Sequence, residues 1–140
     1  MIPIIVTNNP RVKKEFSSQD KIQVFFMEEM NQEEILKYTR DKIHLGAKLI
    51  MHPMMGRIKP HETPFKSVLM EVPTEADLER GSNNLDFESL TIIEDSIKET
   101  SKLINNTYMI KYDKNDEKNM EDLAFIDYLL INSGIEEYLR

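Results

Sequence analysis

Short β-branched runs alternate with amphipathic helical segments along this chain, and that alternation constrains the fold more than any other feature. Ile2–Val6 is apolar and mostly β-branched, as a buried strand is. Thr7-Asn8-Asn9-Pro10 ends it with turn chemistry, and Arg11–Phe16 has the length of a short helix. Ile22–Met27 reads as a second strand. Asn31 follows as an N-cap, with Glu34 in the capping-box position. Ile35, Thr39 and Ile43 share one face, so Gln32–Leu45 reads as a helix, with Gly46 as its left-handed stop. Lys48–Met51 and Ser67–Val72 read as strands three and four.

Thr74–Arg80 has one or two helical turns, capped by Thr74 and stopped by Gly81, and Ser82–Asn84 reads as a linker. Phe87, Leu90, Ile93, Ile97 and Ile104 recur at helical spacing over Asp86–Ile104, with Glu94 and Lys98 as an i,i+4 pair. Thr107–Tyr112 reads as a fifth strand. Met120–Ile131 reads as a final helix, with a break at Gly134. The pattern predicts one α/β domain over residues 1–140, an α/β sandwich around a mainly parallel sheet of about five strands. Ligands of such sheets sit beyond the carboxyl ends of the strands. If strands one and three are neighbours, the Thr7–Pro10 turn and the segment after Met51 share a rim.

Composition narrows the function classes. The 140 residues, 40% apolar and 31% charged, suit a water-soluble domain with a sizeable core. No apolar run approaches the ~20 residues of a spanning helix, and the first residues enter a strand pattern without a basic leader. Cysteine is absent, so disulfides and thiolate chemistry are excluded. A cytoplasmic location without membrane attachment is expected. A net charge of −7 argues against nucleic acid as a partner.

Against that acidic background, residues 52–67 stand apart. Pro53, Pro60 and Pro64 stiffen the segment, and Gly56 permits a turn that other residues resist. Arg57, Lys59 and Lys66 face one acid, Glu62. A local positive spot on an acidic protein points to a small anion. Arg57 and Lys59 suit a carboxylate or phosphate clamp, or are ordinary surface cations of a solvated loop. Asn8 and Asn9 carry donors and acceptors toward the same rim, although asparagine also simply marks turns. Lys66 and Ser67 open the fourth strand as a lysine–serine pair without a nucleophile elbow. Asn8, Asn9, Arg57, Lys59, Thr63, Lys66 and Ser67 form the expected ligand-binding set.

His52, His61 and Glu62 are the candidates for acid–base chemistry. Their spacing matches no familiar metal site, so no metal is expected. His44 suits the negative end of its helix. Gly46, Gly56, Gly81 and Gly134 are isolated, so neither a Walker loop nor a dinucleotide fingerprint is present, and no cofactor is expected. In the final helix, apolar runs flank Asp127 and leave almost no polar face. That pattern fits either a helix buried in the monomer or a homodimer contact through Met120–Ile131.

The opening strand with Thr7-Asn8-Asn9-Pro10, the helix end Thr39–Gly46 and, above all, the His52-Pro53…Gly56…Lys59-Pro60-His61-Glu62-Thr63-Pro64-Phe65-Lys66-Ser67 stretch resemble the GrdX family. The resemblance covers nearly the whole chain and is most specific over residues 39–68. It implies a cytoplasmic protein of the Stickland-type amino-acid reduction system, encoded with the glycine, sarcosine and betaine reductase genes of amino-acid-fermenting anaerobes. It carries no catalytic residues over.

Two readings follow. In the first, the protein is a non-catalytic accessory or regulatory protein of the reductase system, binding a small anionic metabolite or a glycine reductase subunit through the 52–67 loop. In the second, it is a small enzyme acting on a carboxylate or phosphate, with a histidine as general acid or base.

Overall fold

The computed structural model describes residues 1–81 and 84–140, so part of the expected Ser82–Asn84 linker lies outside the described residues. Among the described residues, four strands form one sheet: β1 (Ile2–Thr7), β2 (Gln23–Phe26), β3 (Lys48–Leu49) and β4 (Ser67–Val72). The described residues also form five α-helices: α1 (Pro10–Phe16), α2 (Gln32–His44), α3 (Glu75–Glu79), α4 (Phe87–Ile104) and α5 (Glu117–Tyr138).

The strand order is β2-β1-β4-β3, with β1 and β2 parallel and the other two pairs antiparallel. This corrects the expected five-stranded, mainly parallel sheet. The α1 crossover returns the chain parallel, as a helical connection does, but no helix of comparable length separates β3 from β4. The chain therefore turns back antiparallel, and β4 inserts between β1 and β3. The expected fifth strand, Thr107–Tyr112, is instead a 3-10 turn over Thr107–Met109 followed by irregular chain.

Alternation along the two central strands builds both halves of the core. Ile4, Val6, Val68 and Met70 point to one face, where Ile35, Leu36, Ile43, Ile93 and Ile97 of α2 and α4 cover them. Ile5 and Leu69 point to the other, against Val12 and Phe16 of α1 and Ile131 and Ile135 of α5. The sheet is thus sandwiched between two helical layers.

Local signals behave as elementary chemistry requires. Asn31 and Glu34 close a capping box on α2, and Gly46 stops that helix at φ 104°. Thr74 caps α3, and Asp86 caps α4. Glu94 meets Arg40 of α2 at 3.5 Å, so an interhelical contact replaces the expected pairing with Lys98. The last helix is longer than expected and runs through Gly134 without a break. A Cβ at Gly134 would collide with the Met51 sulfur, so the glycine lets α5 approach the end of β3 closely.

Candidate functional site

The antiparallel pairing of β1 with β4 sets Thr7, the last residue of one strand, opposite Ser67, the first of the other. The turn at residues 7–10 and the end of the 52–66 loop therefore share a rim. They meet through the β1–β4 pair, because β1 and β3 are not neighbours.

Asn8 stitches the two segments together. Its Nδ2 donates to Met30 O and Pro64 O at 3.0 Å each, and its Oδ1 accepts from Lys66 N at 2.8 Å. Asn9 caps α1 by accepting from Arg11 N at 2.9 Å. Asn9 Nδ2 donates to Ala124 O and Asp127 Oδ2, both at 2.9 Å, and so joins α1 to α5. Both asparagines spend their capacity on the protein itself.

A directed hydrogen-bond chain runs beside them. Asn9 N donates to Thr7 Oγ1 at 2.9 Å, and Ser67 Oγ donates to Asp127 Oδ2 at 2.7 Å. With the Ser67 proton committed to Asp127, Thr7 Oγ1 donates to Ser67 Oγ across 2.7 Å. Asp127 Oδ2 thus receives both Ser67 and Asn9, and any proton on this carboxyl resides on Oδ1.

A pocket of about 420 Å³ opens between the 52–66 loop and α5. Met55, Ile58, Phe65, Leu123, Ile126 and Leu130 supply apolar walls, while Arg57, Thr63, Lys66, Asp127 and Ser133 supply polar groups. Gly56, at φ 116°, packs against Leu130 on this wall. Lys66 Nζ donates to Pro53 O at 2.6 Å, which ties the end of the loop to its start. Burial lowers the Lys66 amine below the usual lysine range, against the attraction of Asp127. Burial raises the Asp127 carboxyl above the usual carboxylate range, although Asn9, Ser67 and Lys66 all favour its ionised form. Each group loses hydration that its neighbours only partly restore.

The other expected residues scatter. Arg57 is exposed at the pocket, and Lys59 is exposed on the loop, where its backbone N–H donates to Glu62 Oε1 at 2.9 Å. Thr63 is buried, and its hydroxyl accepts from Phe65 N at 3.2 Å. His52 is exposed, its Nδ1 accepting from Met54 N at 3.1 Å, and it faces a different cavity beside Asp86 and Ser89. His61 is buried; its carbonyl accepts from Lys111 N at 2.8 Å, and its Nδ1 has no partner among the described residues. No hydrogen bond joins His52, His61 and Glu62 among the described residues.

Asp127 is the residue that the motif reading passed over. The signal was a lone acid between two apolar runs of one helix, where a charge is costly unless it has partners. On α5, Phe125, Ile126 and Leu129 are each more than 40% exposed, so this helix is not buried on all sides.

A family model described as GrdX-like protein matches residues 4–136. The chain belongs to the GrdX-like protein family. The match spans the 7–10 turn, the whole 52–67 loop and Asp127, so every part of the pocket falls within the family's region of likeness. No curated protein and no solved structure matches the chain. Among the described residues no helix is long and apolar enough to cross a membrane.

Proposed function

We propose that this GrdX-like protein is a non-catalytic accessory or regulatory protein of a cytoplasmic glycine, sarcosine or betaine reductase system, binding a small anionic metabolite in the pocket between the 52–66 loop and α5. The observation that carries this reading is Lys66. Its amine lies in a largely apolar pocket, bonded to a carbonyl rather than to a carboxylate, with Arg57 in the same wall. Asp127 attracts that amine without closing an ion pair with it among the described residues, so an entering carboxylate supplies a direct counter-charge, and Arg57 offers it a two-pronged contact. The family membership supports the link to reductase systems. A reductase subunit docking on the 52–67 loop is the macromolecular form of the same reading.

The reading predicts that a bound anion raises the lowered pKa of the Lys66 amine, so binding takes up protons as pH rises through the folded value. Calorimetric titration with glycine, sarcosine, betaine and acetyl phosphate, repeated in two buffers of different ionisation enthalpy, measures both. Arg57→Ala weakens binding about tenfold, the equivalent of ~1.4 kcal/mol. Capture of reductase subunits on the immobilised protein tests the docking form. Absence of both binding and capture overturns the proposal. The histidine enzyme is the weaker alternative, because His52, His61 and Glu62 form no bonded set; activity lost in His52→Ala or His61→Ala would revive it.

A further inference from the structure

The same pocket holds a nucleophile in the setting that imine chemistry requires. Lys66 is pinned at three points. Its backbone N–H donates to Asn8 Oδ1, its carbonyl accepts from Asn8 N at 3.3 Å, and its amine donates to Pro53 O. No carboxylate closes an ion pair with it among the described residues, so its neutral form is favoured where an isolated ammonium would be costly. Asp127 lines the same cavity with Oδ2 held by Asn9 and Ser67, which leaves Oδ1 for a proton. Arg57 supplies a cation in the same wall, and Ile58, Phe65 and Leu130 keep the interior apolar.

We infer that Lys66 is a covalent capture site for a small 2-oxo acid or aldehyde acid, its Nζ forming an imine with the carbonyl while Arg57 holds the carboxylate and Asp127 delivers the proton. The amine lone pair attacks the carbonyl carbon, and the C=O π pair moves to oxygen. A proton passes from nitrogen to that oxygen and gives the carbinolamine. The Asp127 carboxyl then protonates the hydroxyl, the C–O bond breaks, water leaves and the nitrogen lone pair closes the C=N bond. One carbonyl compound, one amine and one carboxyl proton yield one iminium, one water and one carboxylate, with no oxidant or reductant. The Asp127 carboxylate and the Pro53 carbonyl then face the iminium, and the apolar walls slow its hydrolysis.

Glyoxylate, the smallest 2-oxo acid, is the probe, with cyanoborohydride to reduce any imine. Intact mass and peptide mapping of the full chain are expected to show one carboxymethyl group per protein, on Lys66, before exposed lysines such as Lys59 react. Lys66→Arg keeps a donor for Pro53 O and abolishes this adduct. Asp127→Asn slows trapping about a hundredfold, the size of a lost general acid, with unchanged circular dichroism. An adduct spread over exposed lysines without preference for Lys66, no adduct, or trapping at an unchanged rate in Asp127→Asn overturns the proposal. Reversible anion binding without trapping also overturns it, while leaving the reading of the preceding subsection intact.

Discussion

Ser67 donates its hydroxyl proton to Asp127 Oδ2 at 2.7 Å, so the first residue of β4 is tied to the middle of α5. This bond joins residues 60 positions apart. It makes one wall of the pocket depend on a strand end and the other on a helix that arrives last in the chain. Removing either partner perturbs both.

Asp127→Asn is expected to stabilise the protein at neutral pH. The folded carboxyl is raised, so the native state binds protons more readily than the unfolded one, and stability falls as pH rises through that window. Above the window the cost is fully present, at about 1.4 kcal/mol per unit of displacement. The amide oxygen still accepts from Ser67 and Asn9. Denaturant titrations at neutral and acidic pH check this: the advantage of the variant shrinks toward acid. Asp127→Ala, which strips Ser67 of its acceptor, is expected to destabilise by roughly 1–3 kcal/mol.

Lys66→Met tests the opposite charge. The folded amine is lowered, so the unfolded chain binds more protons, and wild-type stability rises as pH climbs from the folded value toward 10.5. Below that window the cost of burying the ammonium is complete. Methionine has similar length and no charge, so the variant is expected to gain stability at neutral pH and to lose the alkaline rise. Melting temperatures across alkaline pH measure it.

Asn9→Ala removes an N-cap and the link from α1 to α5 together. Loss of the cap costs about 1 kcal/mol. The missing donor to Ala124 O and Asp127 adds to it, for a total of roughly 2–3 kcal/mol. Asn9→Asp keeps the cap but aims a second carboxylate at Asp127, so it is expected to recover only part of the loss, and less as pH rises. Chemical denaturation of the three proteins separates the two contributions.

Gly134→Ala is governed by Met51. Alanine is the better helix former by about 1 kcal/mol, yet its Cβ meets the Met51 sulfur. The single variant is expected to lose stability, whereas the same change in a Met51→Ala background gains. A double-mutant cycle with non-zero coupling verifies the contact, and additivity refutes it.

Asp77 governs acid sensitivity near the N-terminus. The Met1 ammonium, then the Thr74 backbone N–H and hydroxyl, and lastly Arg80 hold its carboxyl well below the usual range. A depressed carboxyl contributes stability that is complete above its unfolded value near 3.8 and is lost as pH falls below it. Asp77→Asn is therefore expected to lower stability at neutral pH and to flatten the acid limb of the unfolding profile.

Local grammar was legible wherever a side chain acts on its own neighbours. Asn31 with Glu34, Thr74, and the stops at Gly46 and Gly81 needed nothing beyond a few residues of context. Sheet order was less legible, because a β-branched run states that it is a strand and not which strand it joins. Thr107–Tyr112 has strand composition, yet it lies outside the sheet and forms a short turn. Gly134 reads as a helix break only until Met51 is seen beside it. In the site, the loop and the asparagine turn were visible as turn and charge chemistry, whereas Asp127 lay hidden in an apolar helix until tertiary packing brought Ser67 and Asn9 to it.

Side-chain periodicity and capping chemistry, which act over a few residues, determined from the sequence alone that short strands and amphipathic helices alternate and where several of those helices start and stop. Only the tertiary structure decided that β4 returns antiparallel between β1 and β3, that Asn8 sews the loop to the turn, and that Lys66 and Asp127 share one pocket. Those outcomes depend on contacts between residues distant in the chain, and their free energy comes from burial and from paired polar groups, which no local window of sequence contains.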